Sequence, residues 1–97
     1  MNLLYSDETK DRLRQWRDAD PSLYRVTEKE LQAIASNPHT HGMVGSPYVP
    51  RLVSYGVNGR DDEYVITWEV RGDSAIIGTV ASMAEMRQRA RLHGLSR

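Results

Sequence analysis

The chain has 97 residues, which is enough for one hydrophobic core but not for two domains. Its 13 basic and 13 acidic residues cancel, so no net charge draws it toward nucleic acid. The absence of cysteine excludes disulfides, thiolate catalysis and zinc–cysteine sites. No apolar run approaches the roughly 20 residues that cross a bilayer, and the N-terminal residues do not have the pattern of a signal peptide. We therefore expect a single cytoplasmic domain spanning residues 1–97.

The first half of the chain predicts one strand and then a helix. The short apolar segment NLLY, residues 2–5, is typical of a strand. A helix is expected to begin at Ser6 or Asp7, because a small polar residue followed by an acidic first turn favours a helix N-terminus. Trp16 lies on its apolar side, and the segment DADPS ends it at Pro21.

A second helix is expected to begin near Thr27. Thr27 and Glu30 have the spacing of a capping box, in which each side chain bonds to the other residue's backbone N–H. Leu31 and Ile34 would face the core. Pro38 ends the helix, because the residue before a proline avoids the helical conformation.

The second half of the chain predicts three strands and a final helix. In EYVITWEV, the side chains of Tyr64, Ile66, Trp68 and Val70 alternate with the remainder, as in a strand with one buried face. The segment YVPRLVSYGV precedes it across an Asn-Gly turn, and AIIGTVAS follows it. A capping box at Ser82 then opens a helix that Gly94 would end.

These elements define an α+β domain with the order β-α-α-β-β-β-α. The expected architecture is a twisted antiparallel sheet with two helices on one face and a third helix at the C-terminus.

This order resembles the RelE/ParE superfamily of bacterial toxins from toxin–antitoxin pairs. The similar segments are DRLRQW in the first helix, a second helix ending in NP, a glycine-containing loop, EYVITWEV and AIIGTVAS. The resemblance implies the toxin of a type II pair, which inhibits growth and is neutralised by an acidic antitoxin. RelE-like members are mRNA interferases, endoribonucleases that cut mRNA on the ribosome without a metal or cofactor. ParE-like members inhibit DNA gyrase and catalyse nothing, and a phage-type accessory protein on the same scaffold is a further alternative.

The sequence departs from the RelE pattern at several expected cations. Only Arg51 lies on the first central strand, Val65 stands where an arginine would follow the tyrosine, and Met83 occupies the segment after the last strand. Such cations would stabilise the charge of a cleaving phosphodiester. Nuclease and non-catalytic binder therefore both stay open.

Other branches of the superfamily use a histidine and a carboxylate for acid–base catalysis. The loop NPHTHG offers His39 and His41, of which His41 is the better candidate because Gly42 lets the loop fold back toward the sheet. Glu63 precedes the aromatic residue of the next strand, where the acidic partner is expected. The resemblance thus implies His41, Glu63 and Arg51 as catalytic residues. The alternative is that this loop is a solvated connector.

The remaining candidates concern binding. Arg51 and Arg60, near the first two of the three predicted strands, could contact phosphate, and Tyr48 and Tyr55 could stack a base. An arginine series on the last helix is a candidate contact for the acidic antitoxin or for nucleic acid: Arg87, Arg89 and Arg91. The alternatives are that the strand arginines are charges at a solvated strand edge, that the tyrosines cover a sheet face, and that the arginines of the last helix form a solvated face. No metal site is expected, since the H-x-H pair lacks a marked third ligand.

Overall fold

The computed structural model describes residues 2–39, 41–46 and 49–92. Within these ranges the chain forms five strands and three helices in the order β1-α1-α2-β2-β3-β4-β5-α3. The strands are β1 (Asn2–Tyr5), β2 (Met43–Ser46), β3 (Val49–Gly56), β4 (Glu63–Arg71) and β5 (Ser74–Ser82). The helices are α1 (Asp7–Ala19), α2 (Pro21–Ser36) and α3 (Met83–Leu92). No helix in the described part of the chain is both long and apolar enough to span a membrane.

The five strands form one mixed sheet in the order β1-β5-β4-β3-β2, so the α+β class is confirmed and the expected antiparallel sheet is wrong in one respect. Strand β1 runs parallel to β5, because the chain leaves β1 through two helices rather than through a hairpin. The other pairs are antiparallel. Strand β2, in the segment expected to be a loop, pairs with β3 and extends the sheet by one edge strand.

The core lies between the sheet and the helices α1 and α2. Buried side chains of α2 and of the central strands form one cluster, against which Leu13 and Trp16 of α1 pack. The alternation predicted for β4 is confirmed, because Tyr64, Ile66 and Trp68 belong to this cluster and Val70 packs against it. Leu31 and Ile34 of α2 belong to the same cluster, as do Ile77 and Val80 of β5.

The opposite face of the sheet is covered at one end by α3. Val65 is buried but is not part of the main core cluster, which agrees with its alternate position on β4. It lies opposite Ala81 of β5, which is fully buried. Helix α3 contacts both strands, so the two residues form a small second apolar layer beneath it.

A β-bulge in β5 keeps its apolar side chains on the core face. The pairing Thr67–Thr79 is followed directly by Trp68–Ile77, which leaves Gly78 as an additional residue. In a regular strand without this bulge, Gly78 and not Ile77 would share the core face with Val80. The carbonyl of Gly78 accepts a hydrogen bond from Ser6 Oγ at 2.9 Å, so the bulge also anchors the start of α1.

Helix α2 begins at Pro21, six residues before the position expected from the capping-box pattern. Asp20 is the N-cap, its Oδ1 accepting a bond from the backbone N–H of Leu23 at 3.4 Å, and Pro21 occupies the first turn. The expected capping box at Thr27 is therefore wrong. Thr27 lies inside the helix, fully buried, and its hydroxyl is hydrogen-bonded to that of Tyr55 at 2.7 Å.

Helix α3 begins where the second capping box predicted it. Ser82 Oγ accepts a hydrogen bond from the backbone N–H of Glu85 at 3.1 Å, while the Glu85 carboxylate turns to Arg12 of α1 in a bidentate pair. Arg89 also donates to Glu85, at 3.0 Å, and to Glu8. The predicted C-cap Gly94 lies outside the described residues.

The Glu85 pair should make stability fall in acid. The hydrogen bonds from Arg12 hold the pKa of Glu85 below its ordinary value of 4.5. A lowered folded-state pKa contributes stability above about pH 4.5, and this contribution is lost as the pH falls through the folded-state value. We expect Glu85→Gln to unfold at lower urea concentration at pH 7 and to lose less further stability than the wild type below pH 4.5. Glu69→Gln, at an exposed pair with Arg71, is the control. An unchanged acid profile in Glu85→Gln would contradict this assignment.

Candidate functional site

The loop between α2 and β2 covers the indole of Trp68. Trp68 is completely buried, and its Nε1 donates a hydrogen bond to the carbonyl of Pro38 at 3.0 Å. The ring of His41 lies 6.2 Å from the indole, tilted by 33°. Pro38 is itself buried. Pro38 and His41 therefore lie against the central strand, so these residues of the loop are not a free connector.

Gly42 makes this close approach possible. Its φ is +70°, a conformation that glycine adopts without strain. A Cβ at this position would stand 2.2 Å from the carbonyl oxygen of Leu52 and 2.9 Å from Cη2 of Trp68. No side chain larger than hydrogen fits here unless both β3 and the indole move relative to Gly42.

His41 pairs with Glu30 of α2. Its Nε2 is hydrogen-bonded to Glu30 Oε2 at 3.0 Å, with 27% of the His41 side chain and 26% of the Glu30 side chain exposed. An ionised carboxylate only accepts, so Nε2 carries the proton and Nδ1 is the nitrogen that a neutral ring offers as a base. His39, in contrast, is exposed. The pair has the chemistry of an oriented acid–base group with partial access to solvent.

Arg51 holds the loop from the side of β3. Its Nε and Nη2 donate to the carbonyl of His41 at 3.1 and 3.0 Å, and Nη2 also reaches the carbonyl of Gly42 at 3.3 Å. These bonds occupy two of the three guanidinium nitrogens. The geometry gives Arg51 a positioning role for the loop.

Glu63 lies far from His41. It stands at the start of β4, five residues from Trp68, which is about 17 Å along an extended strand. It also alternates with the core-facing residues of β4, so its side chain belongs to the opposite face of the sheet. There it lines a cleft of about 200 Å³ with Asp61, Asp62 and Arg87. The structure therefore brings Glu63 near Arg87 and does not bring it near His41.

Two of the residues predicted to bind substrate, Tyr55 and Arg60, are engaged by other residues of the fold. Tyr55 is buried, with 7% of its surface exposed, so its ring cannot stack on a base; burial also raises its pKa. Arg60 donates to both carboxylate oxygens of Asp20 at 2.7 Å and to the hydroxyl of Tyr64 at 3.3 Å. This pair lowers the pKa of Asp20 and ties the β3–β4 turn to the junction of α1 and α2. Tyr48 lies outside the described residues.

The arginines of α3 differ in their surroundings. Arg89 is engaged by Glu8 and Glu85, so its charge is already compensated within the fold. Arg87 is exposed beside the carboxylates of the Glu63 cleft, and Arg91 is exposed. Among the described residues, Arg87 and Arg91 are the arginines of this helix that form no ion pair.

Sequence reasoning missed Glu30 as the partner of His41. The spacing of Thr27 and Glu30 favours a capping box at the start of a helix. In the structure Glu30 lies in the second half of α2, where the loop that follows this helix can fold back onto it. The reversal depends on Gly42 and on Trp68, which nothing in the local pattern connects. The Asp20-Pro21 pair was a signal that the helix begins before Thr27 and that Glu30 lies inside it, although it does not indicate the contact with His41.

No protein-family model, no curated protein and no solved structure matches the chain. In the described part of the chain, no three His, Cys, Asp or Glu side chains come together in a way that could hold a metal ion.

Proposed function

We propose that the protein is the toxin of a RelE/ParE-like toxin–antitoxin pair that acts in the cytoplasm by binding its target, as a ParE-like gyrase inhibitor does, and not by cleaving RNA. The observation that carries this proposal is that Glu63 does not join His41 and Arg51, and that these two side chains are engaged by partners within the fold. His41 is bonded to Glu30, Arg51 to two loop carbonyls, and Glu63 lies on the other face of the sheet. The order of helices and strands supports the toxin class.

The outer face of the sheet also favours binding over phosphodiester chemistry. Near its centre, Thr67 of β4 pairs with Leu52 on one side and Thr79 on the other, and Met43 lies opposite Leu52. Met43 is 62% exposed. Cleavage of RNA requires cations at the developing phosphorane charge and a base for the 2′-hydroxyl. An apolar and hydroxyl-bearing surface is instead suited to contact with another protein.

One observation favours the endoribonuclease as a second candidate. The His41–Glu30 pair has the geometry of a histidine oriented by a carboxylate, and it is accessible to solvent on one side. In that case the partners would be the ribosome and mRNA, His41 would carry the proton transfer, and Glu30 would replace Glu63 as its carboxylate.

Expression without its antitoxin should arrest bacterial growth. If the protein binds gyrase, plasmid supercoiling should fail while total mRNA stays intact, and His41→Ala should retain the arrest. A catalytic His41 would behave differently, because loss of a proton-transfer group costs about 10²–10⁴ in rate. Growth curves, plasmid topoisomer gels and mRNA blots after induction measure these effects.

His39→Ala is the matched control, because His39 lies two residues from His41 but is exposed. If the wild type and His39→Ala arrest growth and cleave mRNA while His41→Ala does neither, the protein acts as an endoribonuclease and the proposal of a gyrase-binding toxin is wrong. The absence of any growth effect from a well-expressed wild-type protein would contradict both versions of the toxin proposal.

A further inference from the structure

The outer side of α1 and α2 carries a continuous groove that none of the predicted functional residues lines. It consists of two depressions of about 520 and 260 Å³ that share Arg17 and Tyr24. One extends along α2 toward Gln32, and the other extends along α1 toward Tyr5. We call this surface the α1–α2 groove.

Basic side chains border the groove along both helices. Three lie at successive turns of α1, and two lie one turn apart on α2: Lys10, Arg14, Arg17, Arg25 and Lys29. Glu28 is the one carboxylate among the described residues that line the groove. In a chain with no formal net charge, this distribution makes the groove positive and the rest of the chain negative.

Most of these cations are available to a ligand. Within the described residues, Lys10, Arg25 and Lys29 have no ion pair, and all three are exposed. Arg14 and Arg17 each contact an aspartate at 3.2 Å, Asp11 and Asp18, with more than half of every side chain exposed. Such exposed pairs contribute at most about 1 kcal/mol and exchange readily for a better partner.

The floor of the groove is apolar. Pro21 is exposed at its centre, and Tyr24, Leu13 and Tyr5 are each half-buried along it. The aliphatic stems of the flanking lysines and arginines extend this surface. A ligand that fits must therefore present apolar groups to the floor and negative charges to both rims.

We propose that the α1–α2 groove binds an acidic, amphipathic peptide segment of a partner protein. A helical peptide with glutamates one turn apart places carboxylates about 6 Å from each other, which is the spacing of the basic rows. An acidic antitoxin is one partner with this chemistry, but the inference does not depend on the toxin activity. Nucleic acid fits less well, because its affinity comes from neutralising many phosphates, and the negative remainder of this chain opposes a long polyanion.

The test is a fluorescence-anisotropy titration of the full chain with a labelled 15-residue peptide of alanine, leucine and glutamate. Its leucines form one helical face, and its glutamates flank them. A second peptide replaces every glutamate by glutamine, and a labelled 12-nucleotide oligouridylate tests nucleic acid. We expect the glutamate peptide to bind most tightly and with an affinity that falls as salt is added.

Charge reversal locates the site. Arg17→Glu with Arg25→Glu should weaken binding of the glutamate peptide by about tenfold or more, since two rim cations become repulsive. Arg87→Glu with Arg91→Glu changes the net charge equally on α3, the alternative basic surface predicted from the sequence, and should change binding of this peptide by less than about twofold if the groove is the site. Far-UV circular dichroism verifies that both variants fold. An equal loss in both variants, equal binding of the glutamine peptide, tighter binding of the oligouridylate, or no peptide binding at about 1 mM would each overturn the proposal.

Discussion

Gly42→Ala is expected to destabilise the fold by roughly 2–5 kcal/mol, a large part of the total stability of a small domain. Two costs add. An alanine with φ near +70° is strained by about 1–2 kcal/mol. Its Cβ would also overlap the carbonyl oxygen of Leu52, which is backbone and can move only with β3. Overpacking of this kind costs about 1–3 kcal/mol. Urea denaturation followed by circular dichroism measures the loss.

Gly59→Ala separates the two costs. Gly59 has φ +83°, but among the described residues no heavy atom beyond its chain neighbours lies within 4 Å of the position of its missing Cβ. Its substitution should therefore cost only the conformational part, about 1–2 kcal/mol. If Gly42→Ala were no more destabilising than Gly59→Ala, the loop would not be held against Trp68 as described.

Trp68→Ala should cost about 3–5 kcal/mol, because it removes the largest fully buried side chain and leaves a cavity. It also leaves the buried carbonyl of Pro38 without its donor. Trp68→Phe keeps most of the apolar volume and loses the N–H, so it should cost less and remain measurable if the alanine variant does not fold. Denaturation curves of both variants at neutral pH provide the values.

The two positions should also be coupled. Trp68→Phe removes the indole atom Cη2, which lies 2.9 Å from the Cβ position at Gly42, but it leaves the clash with Leu52. The double variant is therefore expected to be less destabilised than the sum of the single changes, by about 0.5 kcal/mol or more. Strict additivity would show that loop and indole do not share this contact.

The sequence pattern was sufficient where one local rule decides the structure. Strand β4 follows a period of two over Tyr64, Ile66 and Trp68, and burial of alternate side chains leaves only one register. Ser82 and Glu85 have the spacing of a helix N-cap, and no earlier residue offers another start for this helix, so the cap could be predicted.

Elsewhere a tertiary interaction decided the outcome. In β5 the apolar period changes at Gly78, which signals a bulge only when the partner register is known. Strand β2 has four residues and its only described partner is β3, so its local pattern is too short to recognise. Thr27 and Glu30 fit a capping box by spacing, but Asp20 and Pro21 had already begun the helix.

The candidate site was predicted in part. The sequence favours His41 over His39 as an acid–base group, and this role stays a prediction; the structure shows that His41 lies beside Trp68 and that Gly42 permits this approach. The resemblance predicts Glu63 as the carboxylate from the order of residues along the sequence. In the structure His41 is instead hydrogen-bonded to Glu30 of α2. Contacts between a loop and a helix that precedes it have no signature in a single sequence.

The parallel pairing of β1 with β5 has a consequence for synthesis. Asn2 and Tyr5 of β1 cannot pair until their partners in β5, Ser74 and Ile77, have been synthesised. Ribosomes add about 5–20 residues per second, so the N-terminal strand stays unpaired for roughly 4–14 s while the remainder is made. Contacts so distant along the chain also slow folding after release. A truncated chain that ends before β5 cannot complete the sheet, and a nascent chain should complete it only after β5 has been synthesised. If the protein is toxic, this delay gives a partner made at the same time several seconds to fold first.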